Sequence, residues 1–184
     1  MMRTTVAGPQ LVQPATERDH IIGPINAPVT MVEYGDYECP YCGAAFPQVK
    51  EVQRVMGERL CFVFRHFPLT RSHPHAQQAA EAAECANAQA WFWPMHEMLF
   101  ENQQSLGYRN LLTYAALLDL DVDRFAHELA GHVHAGRVRE DFLSGVRSGV
   151  NGTPTFFING RRHDGGYDAA SLLRAMRLHT ELQL

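Results

Sequence analysis

Two cysteines three positions apart, in the run Cys39-Pro40-Tyr41-Cys42, stand where an apolar, β-branched segment gives way to a helical pattern. Residues 29–34 read as a buried strand, and the spacing of Ala45, Val49, Val52 and Met56 marks one face of a helix ended by Gly57. Residues 60–64 form a second apolar run of strand length. Strand, helix, strand predicts a βαβ unit, parallel and with a right-handed crossover. The cysteine pair then falls beyond the C-terminal end of the first strand, where α/β sheets usually carry their chemistry.

Farther along, from residue 73 to about 147, the pattern turns Ala- and Leu-rich, punctuated by Pro94, Gly107, Asp121 and Gly131. That predicts a block of several helices. Val138, Phe142 and Val146 make an i, i+4 stripe on its last member, while Asp121 and Gly131 bracket another as N-cap and C-terminal glycine. Residues 155–158 then read as a strand, Asn159-Gly160 as a tight hairpin turn and residues 161–163 as its partner. Asp168 can cap a last helix whose inner face is Leu172, Leu173 and Met176. Residues 1–19 have no sustained apolar period and read as a flexible arm with room to dock on the body, which puts the folded domain at 20–184. The order predicts one α/β domain with a helical insertion at about 73–147.

Composition removes several classes of function. The chain has 20 acidic and 16 basic residues in no blocks, a net charge of −4, so neither nucleic acid nor an anionic membrane surface is an expected partner. No stretch approaches the ~18 apolar residues of a membrane span, and residues 1–11 lack an apolar leader segment, so the expected location is the cytoplasm. Four cysteines in 184 residues are too few for a disulfide scaffold.

The placement of Cys39 and Cys42 asks for redox chemistry. A cysteine at a helix N-terminus faces unpaired backbone N–H groups and the positive end of the helix dipole, which favour thiolate over thiol. Cys39 is thus the expected nucleophile and Cys42, one turn deeper, the resolving thiol. Pro40 suits the first helical position, where its missing N–H would have had no partner. The competing zinc reading fails on ligand count, because a structural site wants four ligands and here a single knuckle faces isolated Cys61 and Cys85, with His73 and His75 the one close histidine pair. No metal and no bound cofactor are expected. Cys61, in a strand-like run, and Cys85, in an Ala-rich helix, read as inert buried residues. His73, His75, His127, His132 and His134 read as surface polar groups, and Trp91, Phe92 and Trp93 as packing for the insertion. Pro154 precedes an apolar strand although it cannot donate to a ladder. A cis Thr153-Pro154 bond there would leave the Thr153 backbone free to pair with an extended peptide.

From about residue 20 to 178 the sequence resembles the DsbA-like branch of the thioredoxin superfamily. Residues 23–42, ending in Gly35-Asp36-Tyr37-Glu38-Cys39-Pro40-Tyr41-Cys42, resemble its opening strand and active site. Residues 92–100 resemble its insertion signature, with Pro94 departing from the pattern and expected to break that helix in two. Gly152-Thr153-Pro154-Thr155-Phe156-Phe157 is similar to the loop that holds a cis-proline opposite the cysteines. The resemblance implies a thioredoxin fold, a central mixed sheet flanked by helices, with an inserted helical subdomain. It also implies that Glu33 is a buried acid relaying protons to Cys42, and that Pro47 bends the active-site helix. A carboxyl in an apolar strand would have a raised pKa, as that relay requires. A water-facing Glu33 is the plain alternative. Glu38, next to Cys39, reads as a solvated acid.

The expected function is disulfide exchange with protein, peptide or small thiol substrates, with glutathione or a redox partner protein as second couple. Cys39, Cys42 and Glu33 are the candidate catalytic residues, and Pro40, Tyr41, Thr153 and Pro154 the candidate substrate contacts. A glutaredoxin-like, glutathione-dependent reductase is the second reading, because Pro-Tyr also separates the cysteines of glutaredoxins. A non-catalytic binding module of the same fold is the third.

Overall fold

The structure, a computed structural model, describes residues 9–181, with the side chains of 179–181 excepted. In chain order the elements are β1 (His20–Ile22), β2 (Val29–Gly35), α1 (Pro40–Met56), β3 (Leu60–His66), α2 (Ala76–Asn87), α3 (Phe92–Glu101), α4 (Tyr108–Leu117), α5 (Val122–Ala130), α6 (Ala135–Arg147), β4 (Thr155–Ile158), β5 (Arg161–His163) and α7 (Ala169–Glu181). The strands make a mixed sheet in the order β1-β3-β2-β4-β5. β2 and β3 run parallel, joined by α1, and every other pairing is antiparallel. This is a thioredoxin fold with five helices inserted between β3 and β4.

Alternation along β2 divides the core. Val29 and Met31 face a large cluster shared with Val49 and Val52 of α1, Leu172 and Met176 of α7, and the Ala-rich face of α2. Val32 and Tyr34 face a smaller cluster with Val63, Phe67 and Phe157, capped by Phe142 of α6 and by Leu11 and Ala15. At roughly 1.5–3 kcal/mol per buried large apolar side chain, these two clusters supply the main drive to fold. The short strand β1 has no counterpart among the expected elements; three residues give no usable period.

Several expectations need correction. The arm expected over residues 1–19 lies outside the described residues as far as residue 8. From Pro9 onward it is anchored rather than loose: Leu11 N–H donates to Gly160 O at 2.8 Å, and buried Arg65 holds Gln13 O, Pro14 O and the Asp19 carboxylate. Pro94 does not divide α3, because it falls in the first turn, where an N–H has no intrahelical partner. Of the expected α6 stripe, Val138 is buried and Phe142 packs on Phe67, but Val146 is half exposed; the rest of the inner face is Asp141, Ser144 and Gly145, with Asp141 accepting from His66 N–H and Ser144 paired with the Tyr34 hydroxyl. Asp121 caps α5 through Arg124 N–H, but the left-handed residue that ends the helix is His132, one beyond Gly131. Asn159 and Gly160 do take the positive φ values, 46° and 78°, that the hairpin turn requires.

Candidate active site

Cys39 is the N-cap of α1, with Pro40 at the first helical position, so the helix opens at the sulfur. Its backbone N–H donates to Asp36 O at 3.2 Å, and its own carbonyl accepts the first turn's bond from Gly43 N–H at 3.1 Å. Cys42 is fully enclosed in the core, Cys39 is 3% exposed, and Tyr41 between them in sequence is 63% exposed. Both thiols are free. Pro47 sits inside α1, which runs unbroken through it from Pro40 to Met56.

One helical turn separates two thiols of opposite character. The Cys42 thiol donates to the Cys39 sulfur and, against the penalty of burial, brings Cys39 down to about 5, helped by Thr153 and by the N–H groups of Cys42 and Tyr41. Cys42 goes the other way: burial, with Glu33 and Cys39 nearby, pushes it well above the ordinary thiol range. The Thr153-Pro154 peptide is cis, and Thr153 O stands 3.4 Å from the Cys39 sulfur, so the loop before β4 forms a wall over the dithiol. The Thr153 hydroxyl is buried without a partner of standard hydrogen-bond geometry, yet it lies near enough to the sulfur to favour its anion.

Glu33 sits behind the pair. It points to the α1 side of the sheet, flanked in register by Phe64 and Phe156, and is 3% exposed; the water-facing alternative is excluded. Burial first, and then the charge of Cys39, raise its pKa to about 8. No hydrogen bond reaches its carboxyl among the described residues. A cavity of about 10 Å³, about the room of a single water, is lined by Glu33 together with Phe46, Gln53, His96 and the ion pair Lys50–Glu97.

Residues that the sequence did not single out complete the site. Gln103, from the loop after α3, donates through Nε2 to Tyr37 O at 2.8 Å and to Cys39 O at 2.9 Å, fastening the insertion to the start of α1. Gly43 makes room for it, since a Cβ there would meet Gln103 Oε1 at 1.9 Å. Buried His96 pairs through Nδ1 with the Tyr37 hydroxyl at 3.0 Å. Glu38 is not a solvated acid: it accepts from His75 N–H at 2.6 Å and pairs with His75 Nδ1 at 2.9 Å, and Asp36 pairs with His73 Nδ1 at 2.7 Å. A lone Gln or His in a helical block carries no sequence signal that it will fold back onto a cysteine.

Two groups among the described residues could offer ligands to a metal, His20–His66–Glu84 and Cys85–Glu128–His134, each with its ligand atoms within 4.8 Å of one another. In the first, Glu84 Oε1 already binds both imidazoles at 2.7 and 2.9 Å, with Arg137 at 4.0 Å. In the second, Arg124 and His134 hold Glu128, and burial with the surrounding carboxylates pushes the Cys85 thiol up to about 12. Cys61 is likewise buried with its thiol raised.

Comparison with known proteins gives this geometry a context. A family model described as thioredoxin matches residues 15–177. The chain belongs to the thioredoxin family. Solved structures of DsbA-type proteins share its architecture. α-DsbA1 of Wolbachia pipientis superposes with a TM-score of 0.75 at 25% identity, covering 91% of this chain and 94% of that one. Oxidised BdbD of Bacillus subtilis shares the fold with a TM-score of 0.83 at 22% identity, covering 95% and 98%. In sequence, the Na(+)/H(+) antiporter NhaA 3 of Salinispora tropica is 52% identical over 160 residues, which are 87% of this chain and 24% of that protein. The chain thus spans about a quarter of the length of the curated relatives it matches. No helix among the described residues of this chain is long and apolar enough to cross a membrane.

Proposed function

We propose that the chain is a thiol-disulfide oxidoreductase that exchanges disulfides with protein or peptide substrates through Cys39 and Cys42. The observation that carries this reading is the opposite displacement of two adjacent thiols, one down to about 5 and the other well up. At neutral pH Cys39 is a thiolate and Cys42 a thiol. The Cys39 thiolate attacks a substrate disulfide, forming a mixed disulfide and expelling a substrate thiolate. Cys42 then gives up its proton and attacks the Cys39 sulfur, closing the Cys39–Cys42 disulfide and expelling the second substrate sulfur. The reverse sequence oxidises a substrate dithiol. A second thiol couple, a partner protein or glutathione, resets the pair.

Glu33 takes the Cys42 proton in this scheme. A carboxyl raised to about 8 is poised to hold or release a proton near neutral pH, and a water in the small cavity that it shares with Lys50 and Glu97 would pass that proton on. Pro40, Tyr41, Thr153 and Pro154 line the approach to Cys39, with Thr153 backbone groups pairing to an extended peptide as an added strand. Trapping tests the assignment: Cys42→Ser should accumulate a mixed disulfide on a non-reducing gel, and Cys39→Ser should capture nothing. Equal trapping by both variants would overturn the order of attack.

A further inference from the structure

Asp36 and Glu38 flank Cys39 closely on the N-terminal side, and two bare carboxylates there would oppose a thiolate. Each is instead met by a histidine of the single loop that joins β3 to α2. The Asp36 carboxylate is closed off from water and accepts from Glu38 N–H at 2.8 Å, Leu69 N–H at 2.8 Å and His73 Nδ1 at 2.7 Å. Glu38 is matched by His75, which is more open to solvent. His73, with its side chain 17% exposed, is therefore the less exposed of the two imidazoles beside the nucleophile.

Resting on the oxidoreductase reading above, we propose that His73 is a positioning residue that takes up the proton displaced when the Cys39 thiolate forms, so that its protonation follows the redox state of the Cys39–Cys42 pair. The balance is simple. A substrate dithiol brings two hydrogens to the enzyme disulfide; the S–S bond of the enzyme breaks as that of the substrate forms, and two electrons pass to the enzyme sulfurs. One proton ends on Cys42 and the other, which the Cys39 thiolate does not keep, ends on His73. Reoxidation returns both.

The groups that face His73 support this direction of coupling. Burial alone would lower its affinity for a proton, but the bond and charge of Asp36, with the charges of Cys39 and Glu38, raise it above the ordinary imidazole value. Asp36 and Glu38 are present in both redox states. The Cys39 charge exists in the dithiol state alone, so disulfide formation removes one of the three contributions and must lower the His73 pKa. By linkage, the His73 proton stabilises the Cys39 thiolate by the same amount.

The decisive measurement is the pH titration of the His73 ring protons by NMR, on the native protein in its disulfide and dithiol forms. The His73 midpoint should lie higher in the dithiol form. As a second readout, His73→Gln should slow Cys39 alkylation at pH 5 by about two- to fivefold. The same variant should flatten the pH dependence of the reduction potential near neutrality. Equal His73 midpoints in both forms, or a potential with the same pH slope in His73→Gln, would overturn the coupling while leaving the oxidoreductase reading intact. A wild-type Cys39 with an unshifted thiol pKa would instead remove the oxidoreductase reading itself.

Discussion

Glu33 and Glu84 are equally hidden from water, at 3% and 2% exposed, and the protein holds them in opposite states of charge. Burial raises both. Glu33 has nothing to offset it and rises to about 8. Glu84 has the Nε2 atoms of His20 and His66 on one oxygen and Arg137 nearby, and these bring it far below the usual carboxylate range. Desolvation is common to the pair; the partners differ. One carboxyl is a fixed anion that joins β1, β3 and α2; the other, behind the dithiol, holds its proton to about pH 8 and is the proton carrier in the proposed mechanism.

Opposite responses to loss of charge should follow, the largest at Glu33. Its folded pKa lies above the unfolded value of 4.5, so its contribution to stability is complete below about pH 4.5 and is lost as pH rises through about 8. Glu33→Gln should remove that loss and make the protein more stable at pH 8, on the order of 4 kcal/mol, while slowing the resolving step about 100-fold. Denaturant melts at pH 5 and pH 8 test the first effect, and single-turnover release of the mixed disulfide the second. Unchanged stability at pH 8 would show that Glu33 is ionised in the fold.

Glu84→Gln should do the reverse. Its depressed pKa supplies stability above the unfolded pKa, lost as pH falls through the folded one, and removing its charge should cost about 3 kcal/mol at pH 7. Cys39 reactivity should stay close to wild type in the same protein. Smaller still is Gln103→Ala, which takes the side-chain donor from Tyr37 O, leaves Cys39 O with Gly43 N–H alone, and should cost about 1–2 kcal/mol with a measurable shift in the Cys39 pKa. Asp121→Ala should cost about 1 kcal/mol through loss of the α5 cap and leave the thiol titration unmoved. A shifted Cys39 pKa in that variant would mean that helix stability alone controls the thiol.

Local patterns account for what was legible beforehand. The β2–α1–β3 unit, the hairpin at Asn159-Gly160 and the helix of Leu172 and Met176 each announce themselves within about ten residues, through period, turn residues or caps. Cys39 and Cys42 stand out because a cysteine at a helix start has distinctive chemistry, whereas Glu33 is singled out by the family resemblance, its apolar strand being compatible with a buried acid. What was hidden depends on long-range contact. His20, His66 and Glu84 are brought together from β1, β3 and α2, and Gln103 reaches back 64 residues to Cys39. Charge pairs such as Asp36–His73 and Glu38–His75 reach across α1 and β3, so the sequence around Glu38 alone reads as solvated. The polar inner face of α6 misled for the same reason: Asp141 and Ser144 are buried because partners on β2 and β3 satisfy them.

In the proposed mechanism one helical turn divides the dithiol into an activated nucleophile and a protected partner. Mass-resolved iodoacetamide labelling of the reduced native protein across pH 3 to 10 reads both thiols at once. Cys39 should label with a midpoint at about pH 5, and Cys42 should remain unlabelled until the fold is lost. A Cys39 midpoint near the ordinary thiol value of about 8.5, or labelling of Cys42 at the same pH as Cys39, would contradict it.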